Sequence, residues 1–181
     1  FISVITSANQ PPIINNQSFS IAENSSDGIT VGTIEASDPD AGQTLTYSIV
    51  SGNANNAFTI NSSTGALTVA TTSAINFETN PFFGLIVEVQ DNGTGSLTNQ
   101  ATVSVSLMNL NEAPIINNQT FSIAENSPEG TIAGTVIATD PDAGQTKTFS
   151  ILSGNTGGVF AINTSSGILT VVNTSALNFE S

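Results

Sequence analysis

Asp38-Pro39-Asp40-Ala41-Gly42-Gln43-Thr44 returns unchanged as Asp140-Pro141-Asp142-Ala143-Gly144-Gln145-Thr146, so the chain repeats itself 102 residues on, with no gap between the copies. Each copy sets two carboxylates one residue apart in a short loop held by a proline and released by a glycine. That oxygen-rich arrangement suits a hard cation such as calcium. An Asx-type turn between strands would use the same residues, so the loop alone does not decide. Lys147 is the one basic residue against fourteen acidic ones, and the chain has neither histidine nor cysteine. Without histidine the commonest general base and the commonest transition-metal ligand are gone; without cysteine there is no thiolate and no disulfide framework. So acidic a surface repels nucleic acid and anionic membranes, which leaves cations as ligands. Serine is plentiful, but no histidine can activate it, Lys147 is the lone candidate base, and the paired carboxylates sit in motifs that metal ligation explains better. An enzyme is not expected.

The elements that must hold these loops read as strands. A chain of 181 residues with a 102-residue period makes two small domains. Strand candidates in the first repeat are Ser18 to Ala22, Thr30 to Ala36, Leu45 to Val50, Phe58 to Ile60 with Ala66 to Val69, Leu85 to Val89, and Ala101 to Leu107. In Leu85-Ile86-Val87-Glu88-Val89 the Leu and Val residues face one way and Glu88 the other. About seven short strands per hundred residues indicate an antiparallel, Greek-key β-sandwich. Pro11-Pro12 and Ala113-Pro114 mark the entry to each repeat. Residues 1–10 then read as the last strand and linker of a preceding repeat, residues 11–112 as repeat one, and residues 113–181 as a repeat two that lacks its last two strands. Such a sandwich would leave open edges and an uncovered core. The strand over residues 1–6 could serve as a donor strand to a neighbouring chain.

Aromatic residues keep the same frame: Phe19 and Phe121, Tyr47 and Phe149, Phe58 and Phe160, Phe77 and Phe179. Side chains kept in register inside strand patterns are expected in the core rather than on a sugar-stacking surface, which would want exposed Trp or Tyr. No apolar run approaches the roughly 20 residues that span a bilayer, so membrane insertion is not expected. The start has neither a basic region nor a long apolar core, so a signal peptide is expected to be missing or already removed. Abundant Asn, Ser, Thr and Gly fit an extracellular, secreted or cell-surface module.

The acidic residues fall into recurring motifs. Ala22-Glu23-Asn24 and Ala124-Glu125-Asn126 precede the two DPD loops, Asn76-Phe77-Glu78 and Asn178-Phe179-Glu180 follow them, Gln90-Asp91-Asn92-Gly93 ends a strand, and Asn109-Leu110-Asn111-Glu112-Ala113-Pro114 forms the linker. Only Asp27, Glu35, Glu88 and Glu129 lie outside these motifs. In this pattern, over nearly its whole length, the chain resembles the cadherin repeat. The wording of the linker and loop is closest to cadherin-like repeats of large bacterial surface and secreted proteins.

That resemblance implies calcium at the junction of consecutive repeats. The complete junction would use Glu23 and Glu78 from repeat one, Asn109, Asn111 and Glu112 from the linker, and Asp140 and Asp142 from repeat two. An earlier junction is half present as Asp38, Asp40 and Asp91 with Asn9, where Ser7 and Gln10 stand in place of acidic ligands. Glu125 and Glu180 with Asn178 would serve the far end. Asn76 and Asn109 stand where the family usually has aspartate, keeping an oxygen but losing a charge. One or two ions per junction and an affinity of roughly 0.1 to 1 mM are therefore expected. The implied function is a calcium-rigidified structural and adhesive module, able to polymerise head to tail, whose partners are adjacent repeats or other copies of itself. The alternative is a polysaccharide-binding module of a larger secreted protein.

Overall fold

The computed structural model describes residues 8–178, so the strand expected over residues 1–6 lies outside the described residues, as do Phe179 and Glu180. By internal contacts the chain divides into two compact units, Phe1–Leu110 and Asn111–Ser181. Among the described residues no helix is long and apolar enough to cross a membrane.

Unit one is a two-sheet sandwich. Its strands are β1 (Ile13–Ile14), β2 (Gln17–Ala22), β3 (Thr30–Thr33), β4 (Ala36–Ser37), β5 (Leu45–Ser51), β6 (Phe58–Ile60), β7 (Ala66–Val69), β8 (Phe82–Asp91) and β9 (Thr98–Met108). One sheet has the order β2-β9-β8-β5, the other β3-β7-β6, and β1 pairs with β4. Strand alternation decides what is buried. Phe83, Leu85, Val87 and Val89 on β8 and Ala101, Val103, Val105 and Leu107 on β9 face the core, as the sequence pattern requires. The facing sheet supplies Phe58, Leu67 and Val69, with Ile34 just beyond β3. Phe58 meets Phe83 edge to face across the sandwich, ring centroids 5.0 Å apart at 87°. Tyr47 is buried, and Phe19 and Phe77 pack against the same core. The in-register aromatics of repeat one are therefore core residues.

Two expectations need correction. The sheet is not purely antiparallel: β2 runs parallel to β9, from Gln17 opposite Val103 to Ala22 opposite Met108. The opening segment changes sheets, with Ile13 and Ile14 antiparallel to Ser37 and Ala36 before the chain crosses to β9. Asn16 Oδ1 accepts the Thr102 N–H at 2.9 Å at the crossing point. Thr30 to Ala36 is likewise not one strand but two, β3 and β4. Across the break the Gln17 side chain takes the place of a backbone rung: its Oε1 accepts Glu35 N–H at 2.9 Å and its Nε2 donates to Glu35 O at 3.0 Å.

In unit two, β11 (Ile132–Thr135), β14 (Ile168–Val171) and β13 (Phe160–Ile162) rebuild the β3-β7-β6 sheet, and β10 (Ile115–Ile116) pairs with β12 (Ala138–Thr139). Gln119 repeats the side-chain rung, on Ile137. Yet residues 119–124 and 147–153 carry no strand, although their repeat-one counterparts are β2 and β5. The reason is pairing: β2 and β5 hydrogen-bond to β9 and β8, whose counterparts one period on fall beyond Ser181. Val159 and Val171 stay buried, while Leu152, the counterpart of Val50, is 93% exposed.

Leu85 is fully buried and Val50 is about half exposed. Leu85→Ala should therefore lower unfolding free energy by about 2–5 kcal/mol, and Val50→Ala by no more than about 0.5 kcal/mol, in urea titrations of the full chain.

Candidate metal centre

The core-facing row of β8 runs 83, 85, 87, 89, and its next member is Asp91. Alternation thus carries a carboxylate to the rim of the core, 3% exposed. Asp91 Oδ1 accepts N–H groups from Gly93 at 3.0 Å and Leu97 at 3.1 Å. Both Asp91 oxygens accept from Asn9 Nδ2, at 3.3 and 3.1 Å, and the same amide donates to Thr94 O at 3.2 Å. In the DPD loop Asp40 N–H donates to Asp38 Oδ1 at 2.8 Å, and Asp40 Oδ2 accepts the Gln10 N–H at 2.7 Å. The Asx turn and the ligand loop are thus one object, because the turn uses one Asp38 oxygen and leaves the other.

That other oxygen, Asp38 Oδ2, is buried with no hydrogen-bond partner among the described residues. A buried acceptor left unsatisfied costs about 1–3 kcal/mol, which a bound cation would offset. Asp91 and Asp40 are tied to residues 9–10 and Asp38 to Asp40; with the Asn9 amide oxygen these three carboxylates form a hard donor set that fits calcium. Gly93 closes the space: a β-carbon there would run into the Asn9 amide and come within 2.6 Å of Gln43 Nε2.

Unit two repeats three of the loop's bonds. Asp142 N–H donates to Asp140 Oδ1 at 3.1 Å, Glu112 N–H donates to Asp142 Oδ2 at 2.7 Å, and Gln145 Nε2 donates to Asn111 Oδ1 at 2.7 Å. Asp142 is buried. The counterpart of Asp91 would fall beyond Ser181.

The opposite end of unit one is built by the same parity rule. Phe19, Ile21 and Glu23 lie on one face of β2 and its continuation, and Glu23 is fully buried. Its Oε2 accepts Phe77 N–H and its Oε1 accepts Leu110 N–H, both at 2.8 Å. A carboxylate oxygen of Glu78 lies within 4.8 Å of one of Glu23. The 75–78 segment is also tied from Asn24 N–H to Ile75 O at 3.0 Å. Just before this segment, at the start of a short 3-10 turn over Thr72–Ala74, Asp27 Oδ1 accepts both the N–H and the hydroxyl of Thr72, each at 2.7 Å.

Within unit one the predicted residues fall at two ends, Asn9, Asp38, Asp40 and Asp91 at one and Glu23 and Glu78 at the other; within unit two, Asn111, Glu112, Asp140 and Asp142 lie at the DPD loop and its linker. Asn109 is exposed just past β9. Glu125 is exposed too, in contrast to Glu23, because the strand end that supplies Leu110 N–H in repeat one has no counterpart in the sequence. Glu180 lies outside the described residues. Gln43 and Gln145 were not among the predicted ligands, yet each grips a linker asparagine. The signal was present, since the loop motif repeats through Gln-Thr and not only through its aspartates.

Comparison with known proteins agrees with this geometry. The profile of the family described as "Cadherin domain" matches residues 17–108 and 119–181. Mouse "Protocadherin Fat 4" is 34% identical over 146 residues, 76% of this chain and 3% of that protein. Human "Protocadherin-23" is 34% identical over 177 residues, 94% of this chain and 5% of that protein. Among solved structures, mouse Cadherin-23 EC22-24 aligns with a TM-score of 0.64 at 27% identity, covering 90% of this chain and 53% of that one. The human Desmocollin-1 ectodomain aligns with a TM-score of 0.57 at 28% identity, covering 96% of this chain and 35% of that one. The chain thus spans a small fraction of its curated relatives. The relatives named here are mammalian, so the bacterial subtype remains a likeness in motif wording alone.

Two measurements test the Glu23 end without metal. Glu23→Gln turns an NH2 group toward a backbone N–H, and should lower stability in chelator by about 1–3 kcal/mol in urea unfolding. The hydroxyl and then the backbone N–H of Thr72 hold the Asp27 carboxyl below its ordinary value of 3.8. A lowered acid stabilises above its unfolded value and loses that contribution as pH falls through the folded one. The stability difference between the unaltered chain and Asp27→Asn should therefore be constant near neutrality and shrink below about pH 3.8.

Proposed function

The chain belongs to the cadherin family, and from that premise we propose that it is a calcium-dependent structural and adhesive module whose successive repeats are stiffened by the ion. Cadherin domains are calcium-binding, non-enzymatic adhesion repeats of extracellular regions. The observation that carries the reading to this chain is the buried, unpartnered oxygen of Asp38 beside Asp40, Asp91 and Asn9. Calcium bound there would supply positive charge to carboxylates that otherwise repel, and would draw on six to eight oxygens.

The protein's part is to hold those oxygens in place. Asp38, Asp40, Asp91 and Asn9 would hold the ion in repeat one. Asn111, Glu112, Asp140 and Asp142 would do so at the start of repeat two, joined under the family's pattern by Glu23, Glu78 and Asn109. Glu125 and Glu180 would serve a following repeat or another copy, which is the basis for proposing a stiff rod or fibre that grows head to tail. The in-register aromatics of repeat one, Phe19, Tyr47, Phe58 and Phe77, are spent on the core, and the exposed ring of Phe82 is no Trp or Tyr, which gives polysaccharide recognition by ring stacking little support.

With dissociation constants of roughly 0.1 to 1 mM, 10 mM calcium should raise unfolding free energy by about 1.4–2.7 kcal/mol per site. Thermal unfolding with calcium and with chelator measures this, and an unchanged melting temperature would defeat the proposal. Electron microscopy of the same samples should show stiffer particles or filaments that chelator disperses. Asn109→Asp restores a charge and should tighten binding several-fold by isothermal titration calorimetry.

A further inference from the structure

The geometry points to Gln43 as a positioning residue of the calcium loop: it fixes the orientation of the Asn9 amide so that the linker offers its oxygen, not its nitrogen, to the metal. This rests on the calcium reading above and adds to it a residue outside the acidic motifs.

Three observations carry it. Gln43 Nε2 donates to Asn9 Oδ1, while Asn9 Nδ2 donates to Asp91 and to Thr94 O. The two ends of the amide are therefore keyed from opposite sides. Turned over, the amide would set its oxygen against the Asp91 carboxylate and its NH2 against the Gln43 NH2, losing every one of these bonds. The second observation is repetition: Gln145 makes the same bond to Asn111 Oδ1 at 2.7 Å, 34 residues apart in sequence as in the first copy. The third is confinement. Gln43 Oε1 is buried without a hydrogen-bond partner among the described residues, and Gly93 has no room for a side chain beside the pair, so the Gln43 side chain is held rather than loosely solvated. An oxygen with two lone pairs can accept from Gln43 and still ligate a cation.

The substitution that separates this role from simple charge is Gln43→Glu. Counting charges, a further carboxylate in the loop should tighten cation binding. As a positioning residue, Gln43 is a donor, and glutamate cannot donate; the Asn9 amide is then drawn round to offer its nitrogen, and binding weakens. The two views predict opposite signs.

Terbium is the probe, on the full chain. Tyr47 is the one tyrosine and there is no tryptophan. It lies two residues along β5 from Leu45, the register partner of Asp91, about 7 Å in strand rise. Repeat two has Phe149 at that place, so tyrosine-sensitised terbium emission reports on the first loop. Gln43→Glu and Gln43→Ala should each weaken terbium binding about five- to tenfold. Luminescence lifetimes in H2O and D2O should show about one more water on the bound ion, replacing the Asn9 oxygen. Melting in chelator separates metal affinity from folding, and Gln43→Asn, which keeps the donor on a shorter arm, should recover part of the affinity. Tighter binding by Gln43→Glu, or unchanged affinity and hydration in both variants, overturns the inference while leaving the calcium reading intact. If the unaltered chain gives no sensitised emission and binds no calcium, both fall.

Discussion

Two carboxylates are buried at opposite ends of one sandwich in a chain with a single lysine, and the organisation of repeat one follows from how they are held. Asp91 and Glu23 are each the next member of a core-facing row, one step past the last apolar side chain of β8 and β2. Each is answered by backbone N–H groups, with an asparagine amide added at Asp91, and by no cationic side chain. A buried charge satisfied only by dipoles remains attractive to a cation. The strands therefore do two things at once: their inner rows build the core, and the ends of those rows deliver carboxylate oxygens to the two poles, separated by the length of β9, about 35 Å.

Repeat two shows the same dependence from the other side. Its DPD loop keeps three bonds of the repeat-one loop, although the four-stranded sheet of repeat one has no counterpart among its described residues. The loop is thus set by local chemistry: an Asx turn, a linker N–H on the second aspartate and a glutamine on the linker asparagine. Burial of the glutamate is not local. Glu23 requires the end of β9, and Glu125, with the same flanking residues, lies exposed without it. One half of the candidate ligand set belongs to a loop and the other to a completed sheet.

That division also explains what could be read in the sequence. Period-two alternation was enough to find β5 to β9, and its parity, carried one step further, would have placed Asp91 and Glu23 inside. The acidic motifs named the candidate ligands because carboxylates are rare enough here for their spacing to stand out. Alternation does not name a partner, so the parallel pairing of β2 with β9 and the change of sheet after Ile14 could not be read. Nor could the break between β3 and β4, where a glutamine side chain supplies the rung that a propensity argument assigns to backbone. Gln43 was invisible for a related reason: among so many amides, its role depends on one donor meeting one acceptor 34 residues away.

The most direct test of the account is a crystal structure of the full chain grown in 10 mM calcium. The account predicts an ion in the first DPD loop, bound to Asp38, Asp40, Asp91 and the Asn9 oxygen at about 2.3–2.6 Å, with Gln43 still bonded to that oxygen. An empty loop at that concentration would contradict it.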